Sequence, residues 1–384
     1  MKVKIFQKFF IYCYCFISLS FISCSNSSDN KIHSKNTSTH FEIIAEVKSP
    51  MPDMSGIAVT KDNRIFVSFP RHADNHTNIV LAEYKNGKFI PYPNKQFVSL
   101  PQDESKVSYS DWLVSPHGIT LDSKGNLWVI DDGKRAGVKE IPNGAAKLVG
   151  IDTKNNKIIA NITIPINPSV HLNDLRFDNS LGEKGVAFIT NSSFGTTPSL
   201  FVVDVSKKLI REVLINHKTT KNQEDFLAFL EHKPHRYNAN NPRFPVGGAD
   251  GIALVNNKVY WTALSGRELW SIDSHILGDF TKSEKEIEDS VINLGERPAC
   301  DGLAEDENGN IYFGAFEQLS LIKRDNNGEY HTLIYDERLG WPDGLAYSNG
   351  YLYVTLGQWN RLPNFNNGKD LREEPYLIGR VKVE

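Results

Sequence analysis

Residues 115–133 read SPHGITLDSKGNLWVIDDG, and this stretch decides the fold. A polar entry leads into Gly118-Ile-Thr-Leu121, whose residues alternate in size and polarity as in a buried strand. Asp122-Ser-Lys-Gly125-Asn126 is a hairpin turn, because Gly and Asn accept positive φ. Leu127-Trp-Val-Ile130 follows, β-branched and aromatic as a second strand should be. The unit recurs from Met54 (MSGIAVTKDNRIFVS), Leu172 (LNDLRFDNSLGEKGVAFIT), Ala249 (ADGIALVNNKVYWTAL), Cys300 (CDGLAEDENGNIYFGAF) and Pro342 (PDGLAYSNGYLYVTL), which makes six copies. From Gly56, Gly118, Leu175, Gly251, Gly302 and Gly344 the intervals are 62, 57, 76, 51 and 42 residues. Solenoid rungs are shorter, whereas a four-stranded propeller blade takes roughly 40 to 50 residues plus loops. The sequence therefore predicts an all-β protein, a six-bladed β-propeller over residues 41–384.

The segment before the repeats reads as an address. Lys2, Lys4 and Lys8 precede an apolar run from Phe9 to Phe21, and Ser23-Cys24 precedes a polar stretch without hydrophobic pattern. Residues 1–24 are expected to be a signal peptide with a lipobox, FISC, in which Cys24 is lipidated. Phe21 and Ile22 are unusual residues for that pattern, and an ordinary signal peptide cut nearby or an uncleaved anchor are the alternatives. Residues 25–40 then form a flexible leash. The expectation is export as a lipoprotein of the bacterial cell envelope, with the membrane touched only through the N-terminal lipid.

The net charge of −3 gives no surface for nucleic acid. Cys13, Cys15 and Cys24 lie in the leader, so Cys300 stands alone in the folded part and no internal disulfide can form there. Phe41–Val47 lies outside the six copies and is expected to close the last blade beside the run 376–383. Gln223–His232, QEDFLAFLEH, has helical apolar spacing and is expected to be a helix. It leads into a polar loop, Pro234–Pro245, that lengthens the 76-residue interval.

In a propeller the innermost strand of every blade opens at one mouth of the central channel. Aligning the copies puts Ser55, His117, Asn173 with Asp174, Asp250, Asp301 and Asp343 in a ring there. These are the expected ligand-binding residues, apart from Ser55. Close carboxylates raise one another's pKa values and need a cation, bound protons or backbone donors. A cation held by Asn173, Asp250, Asp301 and Asp343, with oxygen donors and no thiolate, points to a hard ion, Ca²⁺ or Mg²⁺, with Ca²⁺ the cofactor expected. His117 is the candidate general base, with a satisfied core histidine as the alternative. Trp112, Trp261, Phe316, Trp341 and Trp359 are expected at blade ends, packing between blades or flanking the mouth. Arg71 and Asn360-Arg361 are candidate substrate-orienting groups, with solvation at the surface as the alternative.

The order of motifs resembles the major royal jelly protein/yellow family of six-bladed propellers. The matching elements are RIFVSFPRH, PYPN, LWVIDDG, AKLVGIDTKNNKIIANITIP, HLNDLRFD, DGIALVNNKVYWTALSGRELWSI and GERPACDGLAEDENGNIYFGAF. More distantly the chain is similar to the gluconolactonase/senescence-marker propellers. The first resemblance implies a small-molecule binder, since insect members are linked to amine and lipid ligands. The second implies a Ca²⁺-dependent hydrolase at the same mouth. Where the lactonase pattern has a Glu ligand in its first blades, this chain has Ser55 and His117, which weakens that reading.

Overall fold

The computed structural model describes residues 40–193, 197–236 and 247–383. The readings for the leader, for Cys24 and for the leash up to Thr39 lie outside the described residues. Six four-stranded antiparallel sheets are present, and a two-stranded hairpin is added between the third and fourth. The innermost strands are Ile57–Val59, Pro116–Leu121, Leu172–Asp178, Ala249–Val255, Leu303–Glu305 and Pro342–Ser348. Each packs on the innermost strand of the next blade, and the sixth on the first, which closes the ring. The last blade is completed from both ends of the described chain. Glu42–Val47 forms its outer strand against Tyr376–Lys382, pairing Glu42 with Arg380 and Val47 with Tyr376.

Local chemistry explains the hairpins. The Asp122 Oδ1 atom accepts the N–H groups of Lys124 and Asn126 at 2.9 and 2.8 Å, and its Oδ2 accepts the Trp128 indole at 3.0 Å. Asp306 repeats this with Asn308, Asn310 and the Tyr312 hydroxyl. Each Asp thus ties its turn to the strand beyond it, as Asx turns do. The core lies between blades. Trp128 of blade two stacks on Phe177 of blade three, 3.9 Å between centroids and 11° between planes. Truncating such a buried aromatic costs about 3–5 kcal/mol.

Residues 223–232 differ from the sequence expectation. Leu227–Leu230 is a strand paired with Lys233–Arg236. Phe226, Ala228 and Leu230 are buried while Phe229 is 48% exposed, a period of two that FLAFL permits as readily as a helical one. The buried side meets Leu264, Phe316, Trp341 and Trp359, so the hairpin flanks the channel mouth.

Candidate functional site

The inner strands approach one another more closely than side chains allow. A Cβ on Gly302 would lie 1.8 Å from the Asp343 carbonyl oxygen, and one on Gly251 would lie 2.4 Å from that of Asp301. Glycine is required there by backbone contact with the next blade, which is why the repeat reads Asp-Gly. Hydroxyls on the second strands add a bridge: Ser68 donates to the His117 carbonyl, Thr190 to that of Asp250 and Thr355 to that of Ser55, at 2.5–2.6 Å. Backbone contacts therefore set the positions of the ring residues. In blade three Asp174 takes the glycine position, so this blade contributes two side chains.

His117, Asn173, Asp250, Asp301 and Asp343 line one cavity of about 730 Å³, as the aligned repeats predict. Ser55 is fully buried beneath it, and Asp174 lies close enough to press electrostatically on Asp250, Asp301 and Asp343. Asp250 accepts from the Asn173 amide at 2.5 Å. Trp341 donates its indole N–H to Asp301 at 2.6 Å, and Trp359 donates to Asp343 at 2.5 Å. The Asp250 carboxyl presses electrostatically on that of Asp301, and Asp250 Oδ1 is buried without a hydrogen-bond partner among the described residues. Burial, then mutual repulsion, pushes Asp250, Asp301 and Asp343 well above the usual carboxylate range. Asp174 is pushed up to about 6, chiefly by burial.

A second cluster shares the cavity. His72, His117 and His171 each offer a ring nitrogen, all within 4.8 Å of one another. His171 Nδ1 is paired with Asp132, and Ser55 Oγ lies 3.2 Å from His117 Nδ1. Burial and neighbouring imidazoles drive His72 and His117 well below the ordinary histidine range. Ser55 is fully buried, so its hydroxyl is no exposed nucleophile. The strands are pinned at this mouth. Asp131 accepts the N–H groups of Val114 and Ser115, both at 2.7 Å, and Asn191 accepts that of His171 at 2.9 Å.

Sequence reasoning singled out neither His72, His171 nor Asp132. His171 stands two residues before Asn173, and Asp132 directly follows a second strand. Both flank the mouth without occupying the repeated position. Trp341 and Trp359 do flank the mouth, but their indoles also orient the ring acids. Arg71 is no substrate group: it is fully buried, and its guanidinium donates to the carbonyls of His76, Leu113, Val114 and Asn78. Arg361 pairs with Glu231 at 2.6 Å outside this cavity. The opposite channel mouth is crossed by Arg176, bonded to Glu305 at 2.8–2.9 Å and to the Leu303 carbonyl at 2.6 Å.

The profile of the family Major royal jelly protein matches residues 114–373. The chain belongs to the major royal jelly protein family. No curated protein matches it. Among solved structures, this family member is similar to a calcium-binding protein, regucalcin, from Agrobacterium tumefaciens, at 12% identity over 90% of this chain and 96% of that one, TM-score 0.52. It is also similar to a gluconolactonase from Xanthomonas campestris, at 9% identity over 90% of both chains, TM-score 0.50. A luciferin-regenerating enzyme matches at 12% identity over 90% and 95%, TM-score 0.50. At such identities the likeness shows the propeller fold.

Ca²⁺ fits the ring in part. One oxygen each of Asp250, Asp301 and Asp343 is committed to an N–H donor, leaving three carboxyl oxygens. Calcium takes 6–8 oxygens. Water or a bound molecule has to supply the rest.

Proposed function

We propose that this royal jelly family propeller binds a small polar or aromatic molecule at the channel mouth. The observation that carries the reading is the set of buried acids on Asp250, Asp301 and Asp343, each aimed by an N–H donor into a cavity of about 730 Å³. Cavities of about 300–1,000 Å³ with a few converging polar groups suit small ligands. Protonated acids there donate to a hydroxyl or carbonyl, and give up a proton if an amine enters. Trp341, Trp359, Leu264 and Phe365 line the same space and suit a flat or apolar portion.

The test is calorimetric titration with tyramine and with p-cresol, its counterpart without the amine, in two buffers of different ionisation heat. Saturable heats are expected, with proton release for tyramine and a loss of binding in Asp343→Leu. Absence of saturable heat for both probes would refute an aromatic ligand.

Calcium-dependent hydrolysis is the second reading, favoured by the three unclaimed ring oxygens. It predicts hydrolysis of δ-gluconolactone that a chelator abolishes, together with a chelator-induced fall in Tm. Neither effect would leave the binder alone. Export through a lipidated Cys24 belongs to the same proposal. Cys24→Ser should move the protein from the membrane to the soluble fraction, and unchanged fractionation would refute it.

A further inference from the structure

The three imidazoles are arranged for a purpose that small-molecule binding leaves unused. Their ring centroids are 5.1 Å (His72–His117), 5.2 Å (His72–His171) and 5.1 Å (His117–His171) apart, nearly an equilateral triangle. Tetrahedral coordination with metal–nitrogen bonds of about 2.0–2.1 Å puts each ring centroid about 3.2 Å from the ion, and the centroids about 5.2 Å from one another. The rings are inclined at 37°, 65° and 82°, as rings radiating from one point are, and not as a parallel stack.

We propose that His72, His117 and His171 hold a divalent ion of borderline softness, Zn²⁺ foremost, with a fourth position open to the cavity. Imidazole donors select such ions over Ca²⁺. Asp132 on His171 Nδ1 leaves Nε2 as the ligand atom, the carboxylate–histidine–metal pattern that fixes ring orientation. His72 Nδ1 is buried without a hydrogen-bond partner among the described residues, a state that coordination relieves. The other group of this kind among the described residues, Asp325, Glu329 and His331, is exposed, and Asp325 there caps its own turn.

An ion at the trio faces the acid ring across one cavity, where its open position can take an oxygen or nitrogen of a bound molecule. The site goes beyond the small-molecule reading and does not depend on it, because metal uptake is measured without an organic ligand.

The experiment strips the purified protein with a chelator and titrates Zn²⁺ by calorimetry, with metal counted by mass spectrometry. Co²⁺ serves as the spectroscopic probe. One equivalent of Zn²⁺ and an intense, tetrahedral-type visible Co²⁺ spectrum are expected. His72→Ala should weaken Zn²⁺ affinity at least 100-fold. Asp132→Asn, which keeps all three ligands, should weaken it about 10–100-fold and shift the Co²⁺ bands, with thermal melts confirming folding. Uptake well below one equivalent would overturn the assignment. So would affinity undiminished in both variants, or an ion that survives His72→Ala and is lost in Asp301→Asn, which would place it in the acid ring.

Discussion

Replacing Asp301 by Asn should be nearly harmless at low pH and favourable at high pH. The side chain accepts the Trp341 indole N–H at 2.6 Å, and the Asp250 carboxyl presses on it electrostatically. An amide reproduces the shape and neutrality of the protonated acid, and its oxygen accepts from Trp341 as the acid's does. The net cost should stay within about 1 kcal/mol. Asp301→Ala orphans the Trp341 indole N–H at about 1–3 kcal/mol. At about 2 °C per kcal/mol for a large domain, the Ala variant should melt about 2–6 °C below wild type. The pH dependence has a defined sign. The folded-state pKa of Asp301 is raised above its unfolded value, so folding holds an extra proton between the two. That contribution is complete below the unfolded pKa and is lost as pH rises through the folded one. Asn removes one titrating group and its repulsion on Asp250, so its melting curve against pH should be flatter and meet or pass wild type at alkaline pH. Differential scanning fluorimetry from about pH 5 to about pH 9 reads this directly. If Asn melts as low as Ala, or falls further behind as pH rises, Asp301 works as an anion and the protonated-ring argument fails.

Gly302→Ala should destabilise by about 1–3 kcal/mol or more, since the new methyl meets the Asp343 carbonyl oxygen and blades five and six must part; a Tm equal to wild type would contradict the close approach. Arg176→Leu should cost about 3–5 kcal/mol by stranding Glu305, and Arg176→Leu with Glu305→Leu should recover most of it in urea melts. Thr355→Val should cost about 1 kcal/mol by removing the bridge to the Ser55 carbonyl, an effect visible in the same melts.

The ring was legible because it obeys a repeat. Asp250, Asp301 and Asp343 each precede the glycine that touches the next blade, and Ser55, His117 and Asn173 fill the same position in other letters. The histidine trio breaks that rule. His72 lies in a loop after a second strand, His171 sits two residues ahead of Asn173, and Asp132 belongs to the blade before. Their meeting depends on how far neighbouring blades overlap at the mouth, which spacing along one chain does not encode. The hairpin at Leu227 was hidden for another reason: an alternation of three apolar residues over five fits two periods, and packing against Phe316 and Trp341 decides between them.

Because backbone meets backbone at the Asp-Gly steps, the bore of the channel is indifferent to which side chain precedes each glycine. The six positions behave like interchangeable sockets in a rigid turret: an exchange of Ser, His, Asn or Asp alters the chemistry presented at the mouth and leaves its spacing unchanged. Blade three is the exception, where Asp174 occupies the space that glycine leaves elsewhere. Diversification on this frame should then proceed by swapping sockets, with blade three the place where the bore itself can be narrowed.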